Sequence, residues 1–259
     1  MARVLAIANQ KGGVGKTTTA INLGASLAVA ERRTLVIDID PQGNATSGLG
    51  VEKSDDLLSI YEVLVEGRPA LECIQKELHF PFLDLLPSNR DLVGAEIELV
   101  GQPERERVLS RALEPVRDDY DFILVDCPPS LGLLTLNTLT AADSVLIPIQ
   151  CEFYALEGLS QLLSTIRLVQ RGLNPSLAIE GVLLTMYDRR LNLSKQVAEE
   201  AREYFGGKVF EATIPRNVRL AEAPSFGQPI VTYDILSAGS QSYLALAREL
   251  LAKSKGGSE

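Results

Sequence analysis

The run Asn9-Gln10-Lys11-Gly12-Gly13-Val14-Gly15-Lys16-Thr17-Thr18 lies between a short apolar stretch and a helical pattern. Glycines at 12, 13 and 15 let backbone N–H groups turn inward around phosphate oxygens, and a helix that follows adds partial positive charge at its N-terminus. In such a loop Lys16 pairs with the β- and γ-phosphates of a nucleotide, and the Thr17 hydroxyl ligates Mg²⁺. The strict G-x-x-x-x-G-K-[ST] pattern fails at its first glycine, where Gln10 stands. A bare glycine turn of a generic α/β protein is the competing reading. The strand before, the helix after and the Gly-Lys-Thr run favour the phosphate loop.

Two carboxylate positions complete a site of this kind. Asp126 ends the apolar run Phe122-Ile123-Leu124-Val125, where its carboxylate would hold Mg²⁺ through a water. Alone, an Asp at a strand end is as often a turn residue. The second position is Asp38-Ile39-Asp40-Pro41-Gln42-Gly43-Asn44. Asp38 and Asp40 share one face if the strand continues through both. A solvated turn is the alternative, and proximity to the phosphate loop favours metal and water handling.

Those residues need elements to hold them. Arg3–Asn9, Thr34–Ile39, Asp121–Asp126, Asp143–Gln150 and Glu180–Tyr187 read as strands, and Thr17–Ala30 reads as a helix. The strands are continuous apolar runs rather than alternating ones, which indicates burial on both faces of a parallel sheet. Strand–helix alternation then gives an α/β, doubly wound, mostly parallel sheet flanked by helices. Ligands of such sheets bind at the carboxyl ends of the strands, where all three motifs fall. With no internal repeat and no linker, residues 1–259 are expected to form a single domain, with 253–259 as a tail.

Composition narrows the classes. The 259 residues are 46% hydrophobic and 23% charged, enough for one substantial core. Three cysteines (Cys73, Cys127, Cys151) lie far apart without a CxxC pair, and His79 is the sole histidine. A disulfide scaffold, a structural zinc site and a Ser-His-Asp triad are therefore disfavoured, and a cytoplasmic setting is expected. No apolar run approaches the ~18 residues of a transmembrane helix, and no signal-peptide core precedes the glycine loop. The net charge of −9 disfavours an overall basic surface. It is unevenly spread. Glu52–Asp119 holds 16 acids against 8 bases, whereas Arg189–Arg219 holds 7 bases against 4 acids. By count alone the second stretch is an ordinary solvated face.

Together these motifs resemble the ParA/MinD group of deviant-Walker ATPases, whose signature carries an extra lysine before the glycines, here Lys11. Asp38 to Asn44 resembles the group's second Walker-type motif, and Leu124-Val125-Asp126-Cys127-Pro128-Pro129-Ser130 its Walker B. The segments Ile214 to Pro224 and Glu152-Phe153-Tyr154-Ala155-Leu156-Glu157-Gly158 narrow the resemblance to chromosomal ParA (Soj-type) partitioning ATPases.

The resemblance implies an ATPase that uses ATP and Mg²⁺. It gives Lys11 a reach across a dimer interface to the partner's phosphates, like an arginine finger. It places Gly12 where two chains meet, with no room for a side chain. Gly13, Val14, Gly15, Lys16, Thr17 and Thr18 bind the nucleotide, with Thr18 at the α-phosphate. Lys11, Lys16 and Asp40 are catalytic, Asp40 by positioning or activating water. Thr17 binds Mg²⁺ directly, and Asp38 and Asp126 act on it through water. Pro215 and Asn217 match the adenine-side segment, and Met186 is a further candidate there. Arginines matching Arg190 and Arg219 contact DNA in the family, with Arg189 the neighbouring candidate. The expected cycle is an ATP-bound homodimer on non-specific double-stranded DNA, released when a ParB-type partner stimulates hydrolysis, in the cytoplasm on the nucleoid. A MinD-like membrane-associated ATPase is the nearest rival. It would need a free amphipathic C-terminal helix, and the leucines of Ser242–Lys253 are expected to dock on the sheet instead.

Overall fold

The computed structural model describes residues 1–54, 56–152 and 159–256. Six strands form one sheet: β1 (Arg3–Ile7), β2 (Thr34–Asp38), β3 (Leu83–Leu86), β4 (Phe122–Asp126), β5 (Ser144–Gln150) and β6 (Ala178–Thr185). Their order is β3-β2-β4-β1-β5-β6, and every neighbouring pair is parallel. Because β4 inserts between β1 and β2, the chain that leaves β1 lies beside the ends of both β2 and β4.

The strand sequences explain the two-sided burial. Val4 and Ala6 of β1 join Leu35, Ile123, Val125 and Val145 in a core on one face. Leu5 and Ile7 join Val36, Leu124 and Leu146 in a second core on the other. A period of two within an all-apolar run thus feeds both faces, and each fully buried aliphatic side chain contributes about 1.5–3 kcal/mol.

Helix α1 (Lys16–Val29) fills the second core with Ala20, Leu23 and Leu27. It packs so closely on β2 that a Cβ at Gly24 would lie 2.7 Å from Val36 Cγ2. The helix Ala238–Gly256 covers α1 through Tyr243, Leu246 and Leu250, so its apolar stripe is docked, but on a helix rather than on the sheet as expected, because α1 already covers that face of the sheet. It continues past Lys253 into residues expected as a tail.

Two boundaries differ in ways that matter for the site. Strand β2 stops at Asp38 rather than Ile39, which puts Asp40 in a turn and not on the strand face of Asp38. Strand β3 was not anticipated, since it is four residues long and interrupted by Asp84. That carboxylate accepts hydrogen bonds from Tyr120 (2.7 Å) and Lys76 (2.9 Å), which is how it tolerates a buried strand.

Candidate active site

The loop from β1 to α1 is shaped by its glycines. Gly13 and Gly15 have φ of +75° and +89°, left-handed values at which a side chain is strained. Gly15 is the N-cap of α1, and no side chain caps that end. The first-turn N–H groups of a 14-residue helix therefore open toward the loop, ready for an anion. A Cβ at Gly12 would meet nothing of its own chain within 4 Å.

Lys16 is 7% exposed, and its Nζ donates to the Lys11 carbonyl at 3.0 Å. Burial holds its pKa below the usual lysine value, against the opposing pull of Asp126, Cys127 and Asp40. Lys11 pairs its Nζ with the Glu152 carboxylate. Its backbone N–H donates to Asn9 Oδ1 at 3.0 Å, and Asn9 Nδ2 donates to the Pro148 carbonyl at 2.7 Å. Thr185 Oγ1, at the end of β6, donates to the Val14 carbonyl at 2.8 Å and ties the loop to the edge strand.

Asp38 and Asp126 are both fully buried at adjacent strand ends. Asp38 faces the following turn. Its Oδ2 accepts from Thr46 N (2.7 Å) and Thr46 Oγ1 (2.8 Å), and its Oδ1 from Asp40 N (3.3 Å). Asp40 Oδ1 accepts from Gln42 N at 2.9 Å, and Ser88 Oγ donates to the Asp40 carbonyl at 2.8 Å. Neither carboxylate oxygen of Asp126 has a hydrogen-bond partner among the described residues. Burial pushes the Asp38 carboxyl up to about 6. Burial, then the charge of Asp38, pushes Asp126 well above the carboxylate range, while Thr17 and Lys16 pull the other way. A buried acid with two orphan oxygens beside a lysine and a threonine hydroxyl fits a hydrated divalent cation, which would repay its desolvation.

Next to the loop, a cavity of about 220 Å³ is lined by Gly15, Thr18, Met186, Pro215, Asn217 and Tyr243, among others. The structure thus brings together the three residues expected on the adenine side and sets them against the phosphate loop. Met186 adopts a left-handed φ of +51°, an unusual conformation in the cavity wall. Asn217 Oδ1 accepts from Leu220 N at 3.2 Å, which caps the helix Val218–Glu222 and fixes the side chain.

An open groove of about 910 Å³ adjoins this cavity through Pro215 and is lined in part by Arg189, Arg190 and Arg216. Arg190 makes a two-pronged pair with Asp188, at 3.0 and 2.7 Å. This pairing holds the Asp188 carboxyl down at about 2. Arg219 lies outside the groove, 3.0 Å from Glu222 and 3.6 Å from Asp234. Residues 153–158 of the segment after Glu152 lie outside the described residues. Sequence reasoning passed over Thr185, Thr46 and Ser88, which are ordinary polar residues until the fold places them.

A parallel sheet, a glycine loop opening a helix and acids on neighbouring strand ends define the P-loop nucleotide-binding class. The AAA_31 family model, described as an AAA domain, matches residues 2–179. The chain is 61% identical over 254 residues to the chromosome partitioning protein ParA of Myxococcus xanthus, covering 97% of this chain and 88% of that one. It is 59% identical to the sporulation initiation inhibitor protein Soj of Bacillus subtilis, over 97% and 99% of the two chains. Among solved structures, one named cobyrinic acid a,c-diamide synthase from Mycobacterium smegmatis, holding an ATP analog and magnesium, aligns with a TM-score of 0.86 and 40% identity over 99% and 97%. The cell division ATPase MinD of Pyrococcus furiosus aligns with a TM-score of 0.81 and 26% identity over 98% and 100%. The chain belongs to the ParA/MinD family within these AAA domains.

Proposed function

We propose that the chain is a partitioning ATPase whose ATP-bound homodimer holds non-specific double-stranded DNA and lets go on hydrolysis stimulated by a ParB-type partner. The observation that carries the catalytic half of this reading is Asp126, buried with two unpartnered oxygens beside the phosphate loop. Thr17 would hold Mg²⁺ directly and Asp126 and Asp38 would hold it through water, and the bound ion would supply neutralisation of the phosphate charge.

The remaining chemistry falls to the protein's own side chains. Lys16 leaves the Lys11 carbonyl and pairs with the β- and γ-phosphates. Thr18 meets the α-phosphate. Asp40 orients the water that attacks the γ-phosphorus, giving ADP and phosphate. The cavity at Met186, Pro215 and Asn217 takes the base. Lys11 crosses to the partner's phosphates and neutralises charge that develops in the transition state. Each dimer then presents two basic faces containing Arg189, Arg190 and Arg219. Phosphate contact of this kind strengthens with the number of phosphates neutralised, which dimerisation doubles, and is weakened by salt.

Amide synthesis, suggested by the name of the Mycobacterium smegmatis structure, fits less well. An enzyme that draws nitrogen from glutamine through a thiolate needs a reactive, accessible cysteine. Here Cys73, Cys127 and Cys151 are all buried, and burial pushes their thiols up to about 11, 12 and 12.

The test is ATP turnover with Mg²⁺ and DNA, in wild type and Lys16→Ala. The reading expects ADP release by the wild type and no ATP binding by the variant in calorimetry. Normal ATP affinity in Lys16→Ala would overturn it.

A further inference from the structure

Both lysines of the loop are engaged within the chain. Lys16 Nζ is held by the Lys11 carbonyl at 3.0 Å, and Lys11 Nζ is held by the Glu152 carboxylate. We propose that Glu152 is an intramolecular latch, which keeps Lys11 on its own chain until dimer closure exchanges the carboxylate for the partner's phosphates. The idea deepens the partitioning reading and rests on it for the role of Lys11.

The geometry suits a latch because both backbones are pinned while both side chains stay reachable. Lys11 N–H donates to Asn9 Oδ1 (3.0 Å), and Asn9 in turn donates to Pro148 on β5 (2.7 Å). On the other side, Cys151 N–H donates to the Thr185 carbonyl (3.1 Å) and Glu152 N–H to the Gln150 carbonyl (2.9 Å). The Lys11 and Glu152 side chains are 34% and 39% exposed, so opening is a side-chain swing with no backbone change. A half-exposed ion pair is weak, which makes the latch easy to open when a stronger anion is offered. The Lys16 bond couples the latch to the nucleotide. Phosphates that draw Lys16 away free the carbonyl of the same residue whose ammonium must swing.

The latch also gives order to the cycle. With Lys11 neutralised in cis, a lone chain presents less charge to anions in general. After hydrolysis and separation, Glu152 recaptures Lys11 and favours the monomer.

The test uses the full chain as wild type, Glu152→Gln and Glu152→Asp. Nucleotide-free protein is pulsed with an amine-acylating reagent, and labelling of Lys11 is read by mass spectrometry against Lys195. Lys11 should label about two- to fivefold faster in Glu152→Gln, the range set by an exposed ion pair, with Lys195 unchanged and Glu152→Asp close to wild type. In light scattering, Glu152→Gln should assemble at a similarly lower ATP concentration. Equal Lys11 labelling in wild type and Glu152→Gln would overturn the latch, as would weaker ATP-dependent assembly of Glu152→Gln. A wild type that never assembles with ATP would instead defeat the partitioning reading, and the labelling ratio would still decide whether Glu152 holds Lys11.

Discussion

Asp38 and Asp126 stand side by side in register at the ends of β2 and β4, yet their carboxylates do opposite things. Asp38 is spent on Thr46 and the Asp40 turn, while Asp126 keeps both oxygens unpartnered in a fully buried position. Asp38 shapes the turn that carries Asp40 and keeps lone-pair capacity for a metal-bound water, whereas both oxygens of Asp126 are left for a ligand.

Burying Asp126 without a hydrogen-bond partner costs stability. Asp126→Asn removes a group that must fold either as a buried charge or with an added proton, so the nucleotide-free variant should be about 1–3 kcal/mol more stable than wild type in urea unfolding at neutral pH. It should lose most of the added stability that Mg²⁺ and ATP give the wild type. The pH dependence follows the same sign. A carboxyl whose folded pKa is raised loses native stability as pH climbs from the ordinary carboxylate range to the folded value. The wild type should show that loss, and the variant a shallower one, since of the two raised acids Asp38 alone remains.

Gly12 tests the dimer. Since a Cβ there meets nothing within its own chain, Gly12→Val should fold and bind ATP normally. A loss of assembly with ATP binding intact would then point to a second molecule. The expected outcome is a monomer in light scattering with ATP present, and an ATP-dependent dimer would count against the shared interface.

Asp40 tests water handling. Among the described residues its Oδ1 accepts a turn N–H, from Gln42, and Thr46 and Ser88 hold the loop around it. Asp40→Ala should therefore keep ATP affinity and assembly while turnover falls at least 100-fold, the cost of losing a general base or water-positioning group, roughly 10²–10⁴ in rate. Dimers should then persist on DNA after ATP is added, and unchanged phosphate release would sink the assignment.

Arg190 and Arg219 are held in exposed ion pairs, with Asp188 for one and with Glu222 and Asp234 for the other. Such pairs are worth little in water, so DNA phosphate can displace the carboxylates at small cost. Arg190→Ala or Arg219→Ala should weaken DNA binding while assembly survives, and should lower the slope of log affinity against log salt by about 1 per lost contact. Intact affinity and slope for both variants would reject the basic face.

Much of this was legible in the residues. Apolar runs placed β1, β2, β4, β5 and β6 within a few residues, because burial on both faces leaves an unambiguous pattern. The phosphate loop was legible because glycine, lysine and threonine each do a separate physical task. Strand β3 was hidden by Asp84, whose charge is rescued by Tyr120 and Lys76 from distant segments. The end of β2 at Asp38 was hidden too. Thr46 lies eight residues on, and only the fold shows that it satisfies Asp38. The Lys11–Glu152 pair spans 141 residues, and spacing carries no trace of it.

Nucleotide state is expected to gate DNA binding by this acidic chain. The direct measurement is a titration of the full chain with a non-specific DNA duplex, run with ATP, with ADP and without nucleotide, at two salt concentrations. Binding is expected with ATP alone, indifferent to sequence and steeply weakened by salt. Equal binding in all three nucleotide states, or none with ATP at low salt, would contradict it.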